Sequence, residues 1–303
     1  MSSTTSVATD RRLQLLATLT LLAMTACWGS TFFLIHDLLD RIPAVDFLAV
    51  RFAIASAAML VVAPRTIARL SPELRRHAFV LGALYGVAQI LQTVGLGHTP
   101  ASVSGFITGM YVVCTPLLAA AILHTRIGRL TWGAVLLAVA GLAVLTLDGV
   151  SVGYGEALTL VAAVIYALHI VGLGAWSRPA DAVGMSILQC LVIAAICFVP
   201  AVPGGITLPD RPGDWLAVLY MALFAGAAAL LGQTWAQAHL PPTRSAIIMS
   251  MEPVFAAFFA VLLGGESVTA RMLVGGGMVL AAMLVVELVP RRRIEAEVTH
   301  IAV

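Results

Sequence analysis

Ten apolar stretches, each close to the roughly 20 residues that a helix needs to cross the hydrocarbon core of a bilayer, run through this chain of 303 residues with only short polar breaks between them. In that medium every backbone N–H and C=O must find its partner inside the protein, which an α-helix achieves within one segment. The spans are read as 13–35, 45–63, 78–96, 102–123, 130–147, 155–176, 182–199, 215–239, 243–263 and 271–289. The fold class predicted is an all-α integral membrane protein of ten transmembrane helices. Residues 1–12 and 290–303 are read as cytoplasmic tails, and no connection is long enough to hold a soluble catalytic module.

Side-chain chemistry narrows this further. The chain is 60% hydrophobic and 11% charged, against about 45–50% and about 25% in soluble domains, so membrane helices account for most of it. All 17 basic side chains are arginine. Without lysine there is no P-loop lysine and no Schiff-base lysine, which excludes ATP-driven pumping by this chain and pyridoxal chemistry. No cofactor or metal site is expected. Cys27, Cys114, Cys190 and Cys197 lie in apolar stretches without a CxxC pair and read as small apolar fillers.

Arginine placement sets the expected orientation, because short cytoplasmic loops carry the positive excess. Thirteen arginines (11, 12, 65, 69, 75, 76, 126, 129, 178, 244 and 291–293) fall on the side of the N-terminus and four (Arg41, Arg51, Arg211 and Arg271) on the other, so both termini are predicted cytoplasmic. Arg11-Arg12 before an apolar run, and Met24-Thr25-Ala26-Cys27, loosely resemble secretory and lipoprotein signals. The run is longer than the roughly 7–15 residues of a signal core, and cleavage would delete the first span.

Shifting the sequence by 141 residues aligns Gln92-Thr93 with Gln233-Thr234, His98 with His239, Pro100 with Pro241 and Ser104 with Ser245, five identities in a window of thirteen. The third and fourth spans thus correspond to the eighth and ninth. Repeats of five helices, 13–147 and 155–289, have an odd number of crossings, so the second enters the bilayer inverted relative to the first. Such pairs form a substrate site near the midplane at the repeat interface, and alternating access follows.

Polar residues recur on particular faces of these spans. Tyr85, Gln89 and Gln92 stack on one face of the third at spacings of four and three, as do Ser104, Thr108, Tyr111 and Thr115 on the fourth, and Ser245, Met249 and Glu252 on the ninth. The eighth adds Gln233 and Gln237 with Trp235, the sixth Tyr166 and His169, and the first Trp28 and Thr31. Facing lipid would be costly, so they converge on a cavity or bond between helices. Gly82/Gly86 and Gly105/Gly109 read as close-approach packing pairs. Glu252 is the sharpest residue: a carboxylate deep in a span costs about 2.5 kcal/mol or more on insertion scales, and it would bind a substrate ammonium, carry a coupling proton, or pair structurally with a backbone or hydroxyl donor. Pro116 and Pro253 predict local helix breaks. Arg51, Glu156 and Glu287, near span ends, are expected to snorkel to the headgroups.

Trp28-Gly29-Ser30-Thr31-Phe32, Arg51-Phe52 and Glu252-Pro253, followed by Gly264-Gly265-Glu266 and Gly275, resemble the EamA-type drug/metabolite transporter superfamily, particularly its bacterial amino-acid exporters. The resemblance covers nearly the whole chain; it is specific for the fold and leaves the substrate open. It implies a basket of helices around a central cavity lined by spans 1, 3, 4, 6, 8 and 9, and export across the bacterial inner membrane toward the periplasm. The chain departs from the family at Thr125, where a glutamate matching Glu266 is common.

The expected activity is therefore secondary transport, not catalysis, of amino acids including aromatic or apolar ones and related metabolites. Trp28, Tyr85, Gln89, Gln92, Thr108, Tyr111, Tyr166, His169, Gln233, Trp235, Met249 and Glu252 are the expected cavity residues. The partners are a small-molecule substrate, the lipid bilayer and, for coupling, protons; nucleic acid is not among them, and a monomer is expected. A multidrug or other metabolite exporter is the alternative within transport. An intramembrane hydrolase built on Ser104 and His169 lacks both a GxSxG elbow and an HExxH motif.

Overall fold

The computed structural model describes residues 3–123, 129–146, 153–240, 242–249 and 251–288, and all regular structure among them is helical. Two long helices, α1 (Ser3–Leu39) and α2 (Ala44–Val62), precede the single turn α3 (Thr66–Arg69) and α4 (Pro72–Leu96). The start of α4 is written in the sequence: Ser71 Oγ accepts from Leu74 N at 3.2 Å, and Pro72 follows where no N–H is needed. After it come α5 (Ala101–Thr108), α6 (Tyr111–Leu123), α7 (Arg129–Thr146), α8 (Tyr154–Trp176) and α9 (Ala182–Ala201). Then α10 (Pro212–Ala222) passes through a π-helical turn, Leu223–Ala228, into α11 (Ala229–Gln237), followed by α12 (Pro242–Met249), α13 (Glu252–Leu262) and α14 (Ala270–Leu288).

Among the described residues, seven stretches are long and apolar enough to cross a membrane: Arg12–Leu39, Ala44–Val62, Pro72–Leu96, Ala101–Ile122, Tyr154–Trp176, Ala182–Gly204 and Pro212–Gln237. Shorter apolar helices occur at Trp132–Gly141, Glu252–Leu262 and Ala270–Ala282. The exterior is apolar, with Val61 82%, Val62 85% and Leu216 71% exposed, while Gln89, His169, Gln233 and Glu252 are buried. In water an apolar surface of that kind would be a liability; here it is the lipid face of a multi-pass membrane protein.

Helix boundaries repeat at the same offset as the sequence. Adding 141 to α5 (101–108) gives α12 (242–249), the start of α6 (111) gives the start of α13 (252), and the start of α7 (129) gives the start of α14 (270). The neighbours repeat too. α4 packs on α8 and α9 as α11 packs on α1 and α10 on α2, while α2 pairs with its own counterpart α9 and α7 with α14. Small residues permit the close crossings. A Cβ on Gly29 would lie 2.5 Å from Phe255 Cβ and 2.8 Å from Ala256 N, and one on Gly141 would lie 2.8 Å from Gly275 O.

Several expectations change. Most of the expected N-terminal tail, from Ser3, continues α1 as helix. The fourth span breaks at Gly109–Met110 and not at Pro116, which sits inside α6; Gly109 caps α5, and Gly105 makes a packing contact against Ala256. Gly82 and Gly86 both face α9 as a packing pair should. Glu156 is half-buried at the start of α8. Thr125, Arg126, Arg291, Arg292, Arg293 and the 290–303 tail lie outside the described residues, as does the side chain of Glu287.

Candidate functional site

The two interrupted helices place the most unusual side chains. α12 stops at Met249 and α13 begins at Glu252, so Glu252 stands in the first turn of a helix, where the positive end of the dipole favours a carboxylate. Pro253 follows, at a position where its missing N–H costs nothing. Because α12 ends there, the Met249 carbonyl is free of helical duty, and Tyr111 Oη donates to it at 2.7 Å and to Glu252 Oε2 at 3.1 Å. Tyr111 is itself the first residue of α6, after the matching break. The two residues in contact are thus equivalent positions of the two halves.

A second hydroxyl chain runs from α4 to α8 and α5. Gln89 Nε2 donates to Tyr166 Oη at 2.7 Å, Tyr166 Oη to Gln92 Oε1 at 2.7 Å, and Gln92 Nε2 to Thr108 Oγ1 at 3.0 Å. In the other half the equivalent of the last contact is Gln233 Nε2 to Met249 Sδ at 3.9 Å, with Gln233 Oε1 buried and unpartnered among the described residues. Tyr85 sets its ring edge-on to Tyr166 and His169, centroids 5.4 and 5.0 Å away. His169 Nε2 pairs with Gln189 Oε1 at 2.9 Å, which commits that nitrogen to α9.

These groups line a cavity of about 50 Å³. Eleven of the twelve expected residues line it: Trp28, Tyr85, Gln89, Gln92, Thr108, Tyr111, Tyr166, His169, Gln233, Met249 and Glu252. Trp235 does not; its ring packs on His239, centroids 4.7 Å apart. The narrow water-accessible core means that an amino-acid-sized guest requires the walls to move apart.

Arg51 is the residue that sequence reasoning misplaced. Far from snorkelling, it is 2% exposed and lines the cavity. Its placement follows from the π-helical turn after α10. Such a turn widens the helix and disturbs its hydrogen-bond ladder, and here Met221 O accepts from Arg51 Nε at 3.2 Å while Ala225 O accepts from Arg51 Nη2 at 3.3 Å and from Trp28 Nε1 at 2.9 Å. The guanidinium carbon also lies 5.1 Å from the Phe52 ring centroid and 5.9 Å from that of Phe47, within cation–π range. The available signal was its depth, seven residues into α2 between two phenylalanines; the π turn leaves no motif.

Two contacts lie at the ends of these elements. Beyond α13, Gly265 takes a left-handed backbone (φ 74°) that only glycine adopts cheaply, and Glu266 then reaches the start of α5, where Ser102 N donates to Oε1 at 3.3 Å and Ser102 Oγ to Oε2. Arg41, just past α1, pairs with Asp37 at 2.6 Å and Asp214 at 2.9 Å; those two carboxylates hold its pKa above the usual arginine value. The Ser104 hydroxyl has no partner among the described residues and His169 is paired elsewhere, so no serine–histidine dyad is formed.

A buried cavity of amides, hydroxyls, a carboxylate and a guanidinium inside a lipid-facing helical shell defines a multi-pass membrane transporter. The chain belongs to the EamA-like transporter family, whose model matches residues 15–147 and again residues 153–288. It is 30% identical over 280 residues to an uncharacterized transporter of Archaeoglobus fulgidus, covering 91% of this chain and 87% of that protein. It is 25% identical over 284 residues to the uncharacterized inner membrane transporter YedA of Escherichia coli, covering 88% and 89%. A crystal structure with a TM-score of 0.70 at 17% identity, covering 91% of this chain and 97% of its own, shares the fold. These relatives are transporters, not enzymes.

Proposed function

We propose that this protein is a secondary transporter or facilitator that exports amino acids, including aromatic or apolar ones, and related small metabolites across the inner membrane. Its seven long and three shorter apolar helices form ten spans in two inverted five-helix repeats, 13–147 and 155–289, with both termini cytoplasmic. The observation that carries the reading is the Tyr111–Glu252 contact, in which equivalent residues of two equivalently broken helices meet at the cavity. Contacts across a pseudo-two-fold axis of this kind are where inverted-repeat transporters bind their cargo, with unwound backbone beside it. The repeat of helix boundaries at 141 residues and the arginine asymmetry support the same arrangement. In this reading Glu252 meets the ammonium group, or carries a proton if transport is coupled, while Trp28, Tyr85, Tyr111 and Tyr166 flank the apolar side chain.

That aromatic wall also favours a second reading, export of lipophilic drugs or other metabolites. Counterflow uptake of radiolabelled amino acids into proteoliposomes, with and without an imposed pH gradient, separates the two. Saturable uptake with mutual competition among amino acids is expected. Absence of uptake for every amino acid, together with transport of lipophilic cations, would give the second reading first place.

A further inference from the structure

We infer that Arg51 is the carboxylate-recognising residue of the cavity and that Arg51 and Glu252 together select zwitterions by reading both ends of the molecule. The inference rests on the amino-acid reading above. Its ground is an unbalanced pair of charges. Arg51 is buried against two backbone carbonyls and two aromatic rings, and no carboxylate of the described residues lies within ion-pairing distance of it. Carbonyls satisfy N–H groups but leave the net charge uncompensated, and a buried ion without a counter-ion is costly. Glu252 is in the converse position. Its hydrogen-bond partner is a neutral phenol, and no basic side chain of the described residues pairs with it.

An acidic and a basic side chain thus line one cavity without forming an ion pair with each other. Ionisable groups inside a membrane protein that lack partners mark the path of something that supplies them. A ligand with a carboxylate and an ammonium supplies both and carries no net charge, so binding compensates each wall at once. A cationic drug would compensate Glu252 and leave Arg51 facing a like charge; an anionic metabolite would do the reverse. Guanidinium suits the task because its planar fork matches a carboxylate, and its two carbonyl contacts fix the plane of that fork.

The test uses the full-length protein in detergent and three probes of nearly one shape: L-phenylalanine, phenylethylamine and 3-phenylpropionate. Affinities are read from ligand-induced shifts in melting temperature, which also report on folding without ligand. The wild type is expected to bind phenylalanine more tightly than either analogue. Arg51→Gln should weaken phenylalanine and phenylpropionate by about ten-fold or more, the loss expected for a charge-assisted bond, and leave phenylethylamine bound as tightly or more tightly, since the like charge facing that cation is removed. Arg51→Lys, which keeps the charge, should recover part of the phenylpropionate binding, and Glu252→Gln should invert the pattern. Equal weakening of all three probes by Arg51→Gln, with phenylalanine bound by the wild type, would overturn the inference and leave the amino-acid reading standing. A wild type that binds phenylethylamine as tightly as phenylalanine overturns it as well. Binding of none of the three removes the amino-acid reading and this inference with it.

Discussion

In the first half of the chain the break between α5 and α6 is followed by Tyr111, a neutral donor; in the second half the break between α12 and α13 is followed by Glu252, an acceptor. The backbone treats the two positions alike, and the side chains do not. Other equivalent positions around the cavity also differ, in residue or in bonding. Trp28 stands where the other half has His169, Thr108 where it has Met249, and a two-bonded Gln92 where it has a half-satisfied Gln233. Duplication therefore accounts for the scaffold, and divergence of a few inward-facing residues accounts for the chemistry. A fully symmetric cavity would present two phenols or two carboxylates, and two carboxylates at this distance would repel or share a proton.

The comparison can be broken most severely at a packing position. Gly29 and its counterpart Ile170 occupy equivalent sites, yet a Cβ at Gly29 would lie 2.5 Å from Phe255 Cβ and near the α13 backbone. Gly29→Val is expected to cost about 3 kcal/mol or more through overpacking, lowering the melting temperature in detergent by several degrees or abolishing the folded peak in size exclusion. Ile170→Val, measured the same way, should cost about 0.5–1.5 kcal/mol.

At the breaks themselves, Glu252→Gln removes the carboxylate and should reduce amino-acid uptake in proteoliposomes about 30-fold or more, if its charged bonds are worth about 2–3 kcal/mol. Tyr111→Phe deletes a hydroxyl that serves Met249 O and Glu252 and should reduce uptake by about ten-fold, near the cost of one unsatisfied buried acceptor. Equal effects of the two would mean that the pair acts only as a structural tie.

The glutamines give a smaller contrast. Gln92→Ala breaks two hydrogen bonds of the α4–α8–α5 chain and should lower stability by about 1–3 kcal/mol. Gln233→Ala, which loses a long contact to sulfur, should leave the melting temperature nearly unchanged and act on the apparent KM instead. Smallest of all, Met249→Thr would copy Thr108 into the second half and let Gln233 bond a hydroxyl, raising stability by about 0.5–1 kcal/mol; a lower melting temperature would show that Met249 has a packing role its counterpart lacks.

Much of this comparison is legible in the residues. Gln92-Thr93 against Gln233-Thr234 announces the duplication, and the spacing of Tyr85, Gln89 and Gln92 announces a face that must avoid lipid. Features that depend on backbone irregularity are not legible. Pro116 signals a break that falls instead at Gly109–Met110, because a proline in an interior turn can be absorbed while a pair of glycine and methionine at the crossing cannot be read in advance. Arg51 was hidden for the same reason: its acceptors are carbonyls exposed by a π-helical turn 170 residues away in sequence. Trp235 lies two residues from Gln233, which on a helix turns it about 200° away from the cavity, and its ring packs on His239.

The grip of Glu266 on Ser102 has a consequence of a different kind. Under the proposed inverted arrangement, the inward-facing and outward-facing forms would be near-images of one another and almost equal in free energy, so any bond present in only one half acts as a thumb on the scale. Glu266 supplies such a bond at the start of α5, and the matching positions, Thr125 and Thr243, offer no carboxylate. One charge-assisted clasp worth about 1.5–3 kcal/mol corresponds to a population ratio of about 10 to 150. The direction in which this protein rests between cycles would then be set by a single glutamate at the rim, not by the cavity.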